Sequence, residues 1–94
     1  MTVIAEIQVA PSPAGTPEDP HAHVEAAIAV IRDSGLRFEV SALGTTLEGD
    51  DDEVWATLRA AHEAVLAAGA TSGISHVKIA SVGRTMDSLT SKFR

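Results

Sequence analysis

The chain has 94 residues, with 13 Asp and Glu against 7 Lys and Arg, a formal charge of −6, and neither cysteine nor tyrosine. Without cysteine, a disulfide framework, a thiol nucleophile and thiolate metal or iron–sulfur sites are excluded. The acidic balance opposes the counterion release that drives nucleic-acid binding, and base stacking would rest on Phe38, Trp55 and Phe93 alone, so no nucleic-acid partner is expected.

The length fits a single domain over residues 1–94 with a thin core, because many of its apolar residues are alanine. No apolar run approaches the ~20 residues that cross a bilayer, and the start Met-Thr-Val-Ile-Ala-Glu lacks the basic residues of a secretion signal. The expectation is a cytoplasmic protein with no membrane partner. Charge is unevenly placed: residues 1–77 carry 3 basic against 12 acidic residues, while from Lys78 onward 4 basic residues stand against Asp87. An acidic body therefore carries a basic C-terminal tail, about residues 84–94, and opposite patches of this kind suit self-association.

Thr2 to Ala10 alternates, with Val3, Ala5, Ile7 and Val9 on one side and Ile4, Glu6 and Gln8 on the other, which predicts a strand with one buried face. Pro11, Pro13, Pro17 and Pro20 predict an irregular loop. Asp19 as cap with Pro20 at the first helical position opens a helix whose stripe is Val24, Ala27, Ile28 and Ile31, and Gly35 ends it. Leu36 to Ala42 is a second strand, Leu43-Gly44 its turn, and Thr45 to Glu48 a short third strand. Asp50 with Glu53 has the form of an acidic capping box, and Val54, Leu58, Ala61 and Val65 form the second helix's stripe up to Gly69. Ile74 to Ala80 is the fourth strand, and Thr85 to Arg94 is weakly helical at best.

The order β-α-β-β-α-β predicts an α+β, ferredoxin-like sandwich: a four-stranded antiparallel sheet with both helices on one face. The other face is then uncovered and carries Ile4, Glu6, Gln8, Arg37, Glu39, Ser41, Thr46, Glu48, Ile74, His76 and Lys78.

Metal binding is not expected. His21 and His23 at a helix start diverge by about 200° and cannot share an ion. His62-Glu63 lacks a second histidine four residues on, where Leu66 stands, and the carboxylates from Glu48 to Glu53 lack calcium-loop spacing. Helix capping and the helix dipole account for most of that run. Glu48 is set apart, on a strand facing the open side near Glu6, where a basic partner such as Lys78 or Arg37, or a cationic ligand, would relieve like-charge repulsion. No nucleophile elbow or glycine-rich phosphate loop is present, so catalysis has no positive feature.

Four stretches then fall together: Ala5-Glu6-Ile7-Gln8-Val9 with Pro11, Ser34-Gly35-Leu36-Arg37-Phe38-Glu39-Val40, Gly44-Thr45-Thr46-Leu47-Glu48-Gly49, and Ala61-His62-Glu63-Ala64 with Gly69-Ala70. In their order and spacing they resemble the small thiamine-binding family, long known as a domain of unknown function. The resemblance implies a ferredoxin-like fold assembled as dimers or tetramers, and non-catalytic binding of thiamine or a related aminopyrimidine or thiazole compound, with no required cofactor. The sequence departs from the family pattern at His21, where a serine is usual, at Ser72-Gly73, where an arginine is usual, and at Ala80-Ser81-Val82-Gly83, which precede Arg84.

An aminopyrimidine needs paired donors and acceptors, and a thiazolium cation suits an acidic site. The expected site residues are Glu6, Gln8, Thr45, Thr46 and Glu48, with Pro11, Ser12 and Gly44 shaping the rim, although Thr45 and Thr46 point to opposite faces of their strand. Two alternatives stand beside this reading. One is a ferredoxin-like dimeric isomerase or oxygenase using His62 or His76 as base, which needs a histidine facing a dry cavity. The other is a purely structural, self-assembling module.

Overall fold

A computed structural model describes all 94 residues. Its elements are β1 (Thr2–Ser12), α1 (Ala22–Asp33), β2 (Arg37–Ser41), β3 (Gly44–Asp50), α2 (Asp51–Ala67), β4 (Ser72–Ala80) and α3 (Met86–Thr90), followed by a 3₁₀ turn, Ser91–Phe93. The four strands form one antiparallel sheet in the order β2-β3-β1-β4. This is the ferredoxin-like arrangement, with two hairpin-linked strands between the two crossover helices.

The alternating residues of β1 bury as their period dictates: Val3, Ala5 and Ile7 are buried, and Val9 packs against the same cluster. They meet Ala27 and Ile31 from α1, Leu47 from β3, and Val54, Leu58, Ala61 and Val65 from α2 in one continuous core. Its largest wholly enclosed side chains are Ile31, Leu47, Val3, Val54 and Val65, each contributing roughly 1.5–3 kcal/mol by leaving water. The stripe of α1 is rotated from the expected one, since its buried residues are His23, Ala27 and Ile31, while Val24 and Ile28 lie at the margin.

Several boundaries differ from the sequence reading, each for a local reason. β1 runs through Pro11 to Ser12, because beyond Ile7 it pairs only with β4, and a proline fits a strand whose other side has no ladder. α1 starts at Ala22, two residues beyond Pro20, because Asp19 is held in a turn: its N–H donates to the Thr16 hydroxyl at 3.1 Å, and its carbonyl accepts from Ala22 N–H at 3.1 Å. The hairpin turn is Ala42-Leu43, with Ser41 opposite Gly44, so Gly44 opens β3. Asp50 does precede α2, but no capping box forms; its carboxylate faces the Met1 ammonium at 3.7 Å.

The largest correction concerns the tail. Residues Thr85 to Ser88 close a capping box, with Ser88 N–H donating to Thr85 Oγ1 at 3.0 Å and Thr85 N–H donating to Ser88 Oγ at 3.1 Å. The short helix so nucleated lies on the sheet face opposite α1 and α2. Met86 is buried there, and Arg94 donates to Glu39 at 2.7 Å while Arg37 donates to Asp87 at 2.8 Å. The face expected to be uncovered is thus covered over β2 and β3 and open toward β4. No helix is long and apolar enough to cross a membrane.

Candidate functional site

The expected site residues divide between the two faces of the sheet. Glu6 stands opposite Thr46 on one side and Lys78 on the other, and Gln8 opposite His76, so these five side chains share the open face. No ion pair joins Glu6 to Lys78. Glu48 is on this face too, and it is not paired with Lys78: its Oε1 accepts the Met86 N–H at 3.1 Å. Arg37, its register neighbour, is turned to Asp87, whose carboxylate, with Glu39, raises the guanidinium further above its ordinary pKa.

Thr45 lies on the other face, buried at 3% exposure, and lines a cleft of about 200 Å³ between α1, the end of β1 and the β2–β3 turn. The walls are Ile7, Val9, Val24, Ile28, Val40 and Leu43, and Gln8, Ser41 and Gly44 complete the rim. The cleft exists because β3 begins at Gly44 while β1 continues, leaving a step in the sheet where the hairpin stops. The Thr45 hydroxyl takes part in no hydrogen bond within the chain. Since every fully enclosed side-chain nitrogen or oxygen does have a partner, this oxygen opens onto the cleft.

Gly44 joins the two faces. A Cβ at Gly44 would stand 3.1 Å from the Ile7 carbonyl oxygen, closer than ordinary contact, and 3.4 Å and 3.6 Å from Cγ and Cδ of Glu6, so the Glu6 side chain lies against the hairpin end that bounds the cleft. Of the expected residues, Thr45 lines the cleft with its side chain, Gln8 and Gly44 stand at its rim, and Glu6 lies beside Gly44. Thr46 is across the sheet from the cleft, Glu48 is engaged by the tail, and Pro11 and Ser12 pair with Gly73 and Ser72 along β4. The apolar walls contributed by Val24, Ile28, Val40 and Leu43 were missed as site residues. Val40 and Leu43 carry a signal as large apolar residues at a hairpin turn, whereas Val24 and Ile28 carry none beyond their place on the helix stripe.

The histidines separate into distinct roles. His23 is buried and its Nδ1–H donates to the Pro13 carbonyl at 2.7 Å, tying the proline loop to α1. His62 is half-buried and shares a 2.6 Å hydrogen bond between Nδ1 and Ser75 Oγ, linking α2 to β4. It borders an open groove, not a dry cavity.

Fold and cleft together define a ferredoxin-like α+β domain with a small, mostly apolar cavity beside a stepped sheet. The chain belongs to the thiamine-binding protein family, whose profile it matches over residues 5–94. It is 41% identical over 58 residues to a UPF0045 protein of Methanothermobacter thermautotrophicus, covering 61% of this chain and 59% of that one. It is also 41% identical over 70 residues to a UPF0045 protein of Synechocystis, covering 74% of this chain and 56% of that one. The chain thus matches less than two thirds of these curated relatives' own length. Among solved structures it resembles a DUF77 domain from Bacillus cereus, with 35% identity, a TM-score of 0.88, and 100% and 91% of the two chains covered. A candidate thiamine biosynthesis or salvage protein from Thermotoga maritima shares 25% identity and a TM-score of 0.85 over 100% of both chains.

Proposed function

We propose that this chain binds a small heteroaromatic cation of the thiamine type, without turnover and as a homo-oligomer. The observation that carries the reading is Thr45: a side chain buried to 3% exposure, its hydroxyl without a partner, opening into an otherwise apolar cleft. A pocket of about 200 Å³ takes one aromatic ring, and a ring nitrogen or amino group would complete the hydroxyl's hydrogen bonding. The second ring would extend past Gly44 toward the Glu6 carboxylate, which offers the charge a thiazolium needs. Gln8, Thr46 and Lys78 flank that path. Membership of the thiamine-binding family and the likeness to the Thermotoga protein support the choice of ligand.

Ligand that binds only the folded state raises stability by about 2.7 kcal/mol at a hundredfold excess over Kd. A thermal shift with thiamine, weakened in both Thr45→Val and Glu6→Gln, is the expected result. No shift at millimolar thiamine refutes the reading. Light scattering on the eluting protein tests the assembly, which a monomer at micromolar concentration would rule out.

A further inference from the structure

A second cleft, of about 440 Å³, lies on the helix side of the sheet between α2 and the edge strand β4. Trp55, Leu58, Arg59 and His62 fall at i, i+3, i+4 and i+7 and so form one stripe of α2. Facing them are Ser75, Val77 and Ile79, the alternate residues of β4 that point toward the helices. The floor is apolar, and one wall is an indole about half exposed.

Apart from the Ser75 hydroxyl, the polar side chains at this cleft are basic. In a chain of net charge −6, no carboxylate lines it, while Arg59 and His62 do. His62 is fixed by its Nδ1 bond to Ser75 Oγ, which leaves Nε2 unengaged. Arg59 Nε donates to Glu63 at 3.0 Å, but this pair is exposed on both sides, at 83% and 62%, and pairs of that sort hold a guanidinium only weakly. The guanidinium can exchange Glu63 for a ligand's acid group at small cost.

We infer that the α2–β4 cleft is a second binding site, for a small planar aromatic carboxylate whose ring packs between Trp55 and the Val77–Ile79 strand face and whose acid group is met by Arg59 and His62. The site shares only the buried Ile7 with the Thr45 cleft and takes the opposite charge, so it stands whatever the ligand of that cleft.

Trp55 is the chain's only tryptophan and reports occupancy directly. Titration with 4-nitrobenzoate is expected to quench its fluorescence to saturation, with the neutral 4-nitrobenzamide weaker by about tenfold or more, as loss of a charge-assisted hydrogen bond dictates. Arg59→Gln brings the acid down to the amide's affinity, Glu63→Gln tightens the acid, and excess thiamine does not displace it. Absence of saturation at millimolar probe, or equal binding of acid and amide, overturns the proposal. So does quenching that follows protein concentration without probe and disappears in Val77→Lys, which would give the cleft to a second copy pairing along β4.

Discussion

Replacing Thr45 with valine exchanges a hydroxyl for a methyl in nearly the same shape, on a strand where both β-branched residues are favoured. Packing around the residue, at 3% exposure, is kept, so the change isolates the hydroxyl. The Thr45 hydroxyl has no partner within the chain but opens onto the cleft, so of the about 1–3 kcal/mol that a fully enclosed unpaired group costs, only the part that water in the cleft does not recover applies. Thr45→Val should therefore stabilise the free protein by about 0.5–1 kcal/mol, against the usual tendency of substitutions to destabilise. In urea, the midpoint rises by about 0.5 M with an unchanged slope, for a slope of about 1–2 kcal/mol/M. Thr57→Val supplies the contrast. Its hydroxyl donates to the Glu53 carbonyl at 2.8 Å within α2, so its loss destabilises by about 1 kcal/mol. If Thr45→Val lost as much as Thr57→Val, the Thr45 hydroxyl would be satisfied within the free protein, and the argument for a ligand donor or acceptor there would fail.

The docked tail should depend on Met86 more than on its ion pairs: Met86→Ala removes about three buried heavy atoms and costs ~2 kcal/mol, whereas Asp87→Asn and Arg94→Gln cost less than ~1 kcal/mol each, because both pairs are largely exposed. Chemical unfolding of the three variants ranks them, and a reversed order would make the tail an electrostatic attachment. Gly35→Ala costs about 1 kcal/mol from its positive φ of 81° alone, in open space; Gly69→Ala costs more, because its φ of 129° is combined with an approach of 3.1 Å to His23 Nε2. Arg32, by hydrogen bond and charge, holds the Asp33 carboxyl below its ordinary pKa, so the stabilisation from this pair is present at neutral pH and is lost as pH falls through the folded-state value. An NMR titration should show the depressed Asp33 midpoint return to the ordinary range in Arg32→Gln.

The elements and their order were legible because their signals are periodic and local. Alternation in β1, the Val54 to Val65 stripe of α2, and the glycines that end both helices each needed only a few neighbouring residues. The start of α1 was misplaced because Asp19-Pro20 has the chemistry of a cap while Thr16 competes for Asp19 through a turn. The tail was misread for a different reason: its capping box was in the sequence, but a five-residue helix is stable only when docked, and the acids it docks on are far away in the chain. Of the site, Glu6, Gln8, Gly44 and Thr45 could be named from residue type and strand position. The cleft itself could not, because it depends on where β3 stops pairing with β1 and on the rotation of α1 against that step.

The tail also narrows which acids remain available to a cation. The open sheet face carries Glu6, Glu39 and Glu48. Glu39 is met by Arg94 and Arg37, and Glu48 by the Met86 backbone. Only Glu6 has neither an ion pair nor a hydrogen bond, although Lys78 stands directly across from it. A charge-bearing side chain left unpaired beside an available partner lowers the cost of recruiting it to a ligand, because no existing bond has to break. Of the basic tail, which in the sequence suggested self-association, Arg94 is engaged within its own chain, by Glu39. The tail thus ion-pairs Glu39 and hydrogen-bonds Glu48, and leaves Glu6 unpaired beside the glycine that bounds the Thr45 cleft.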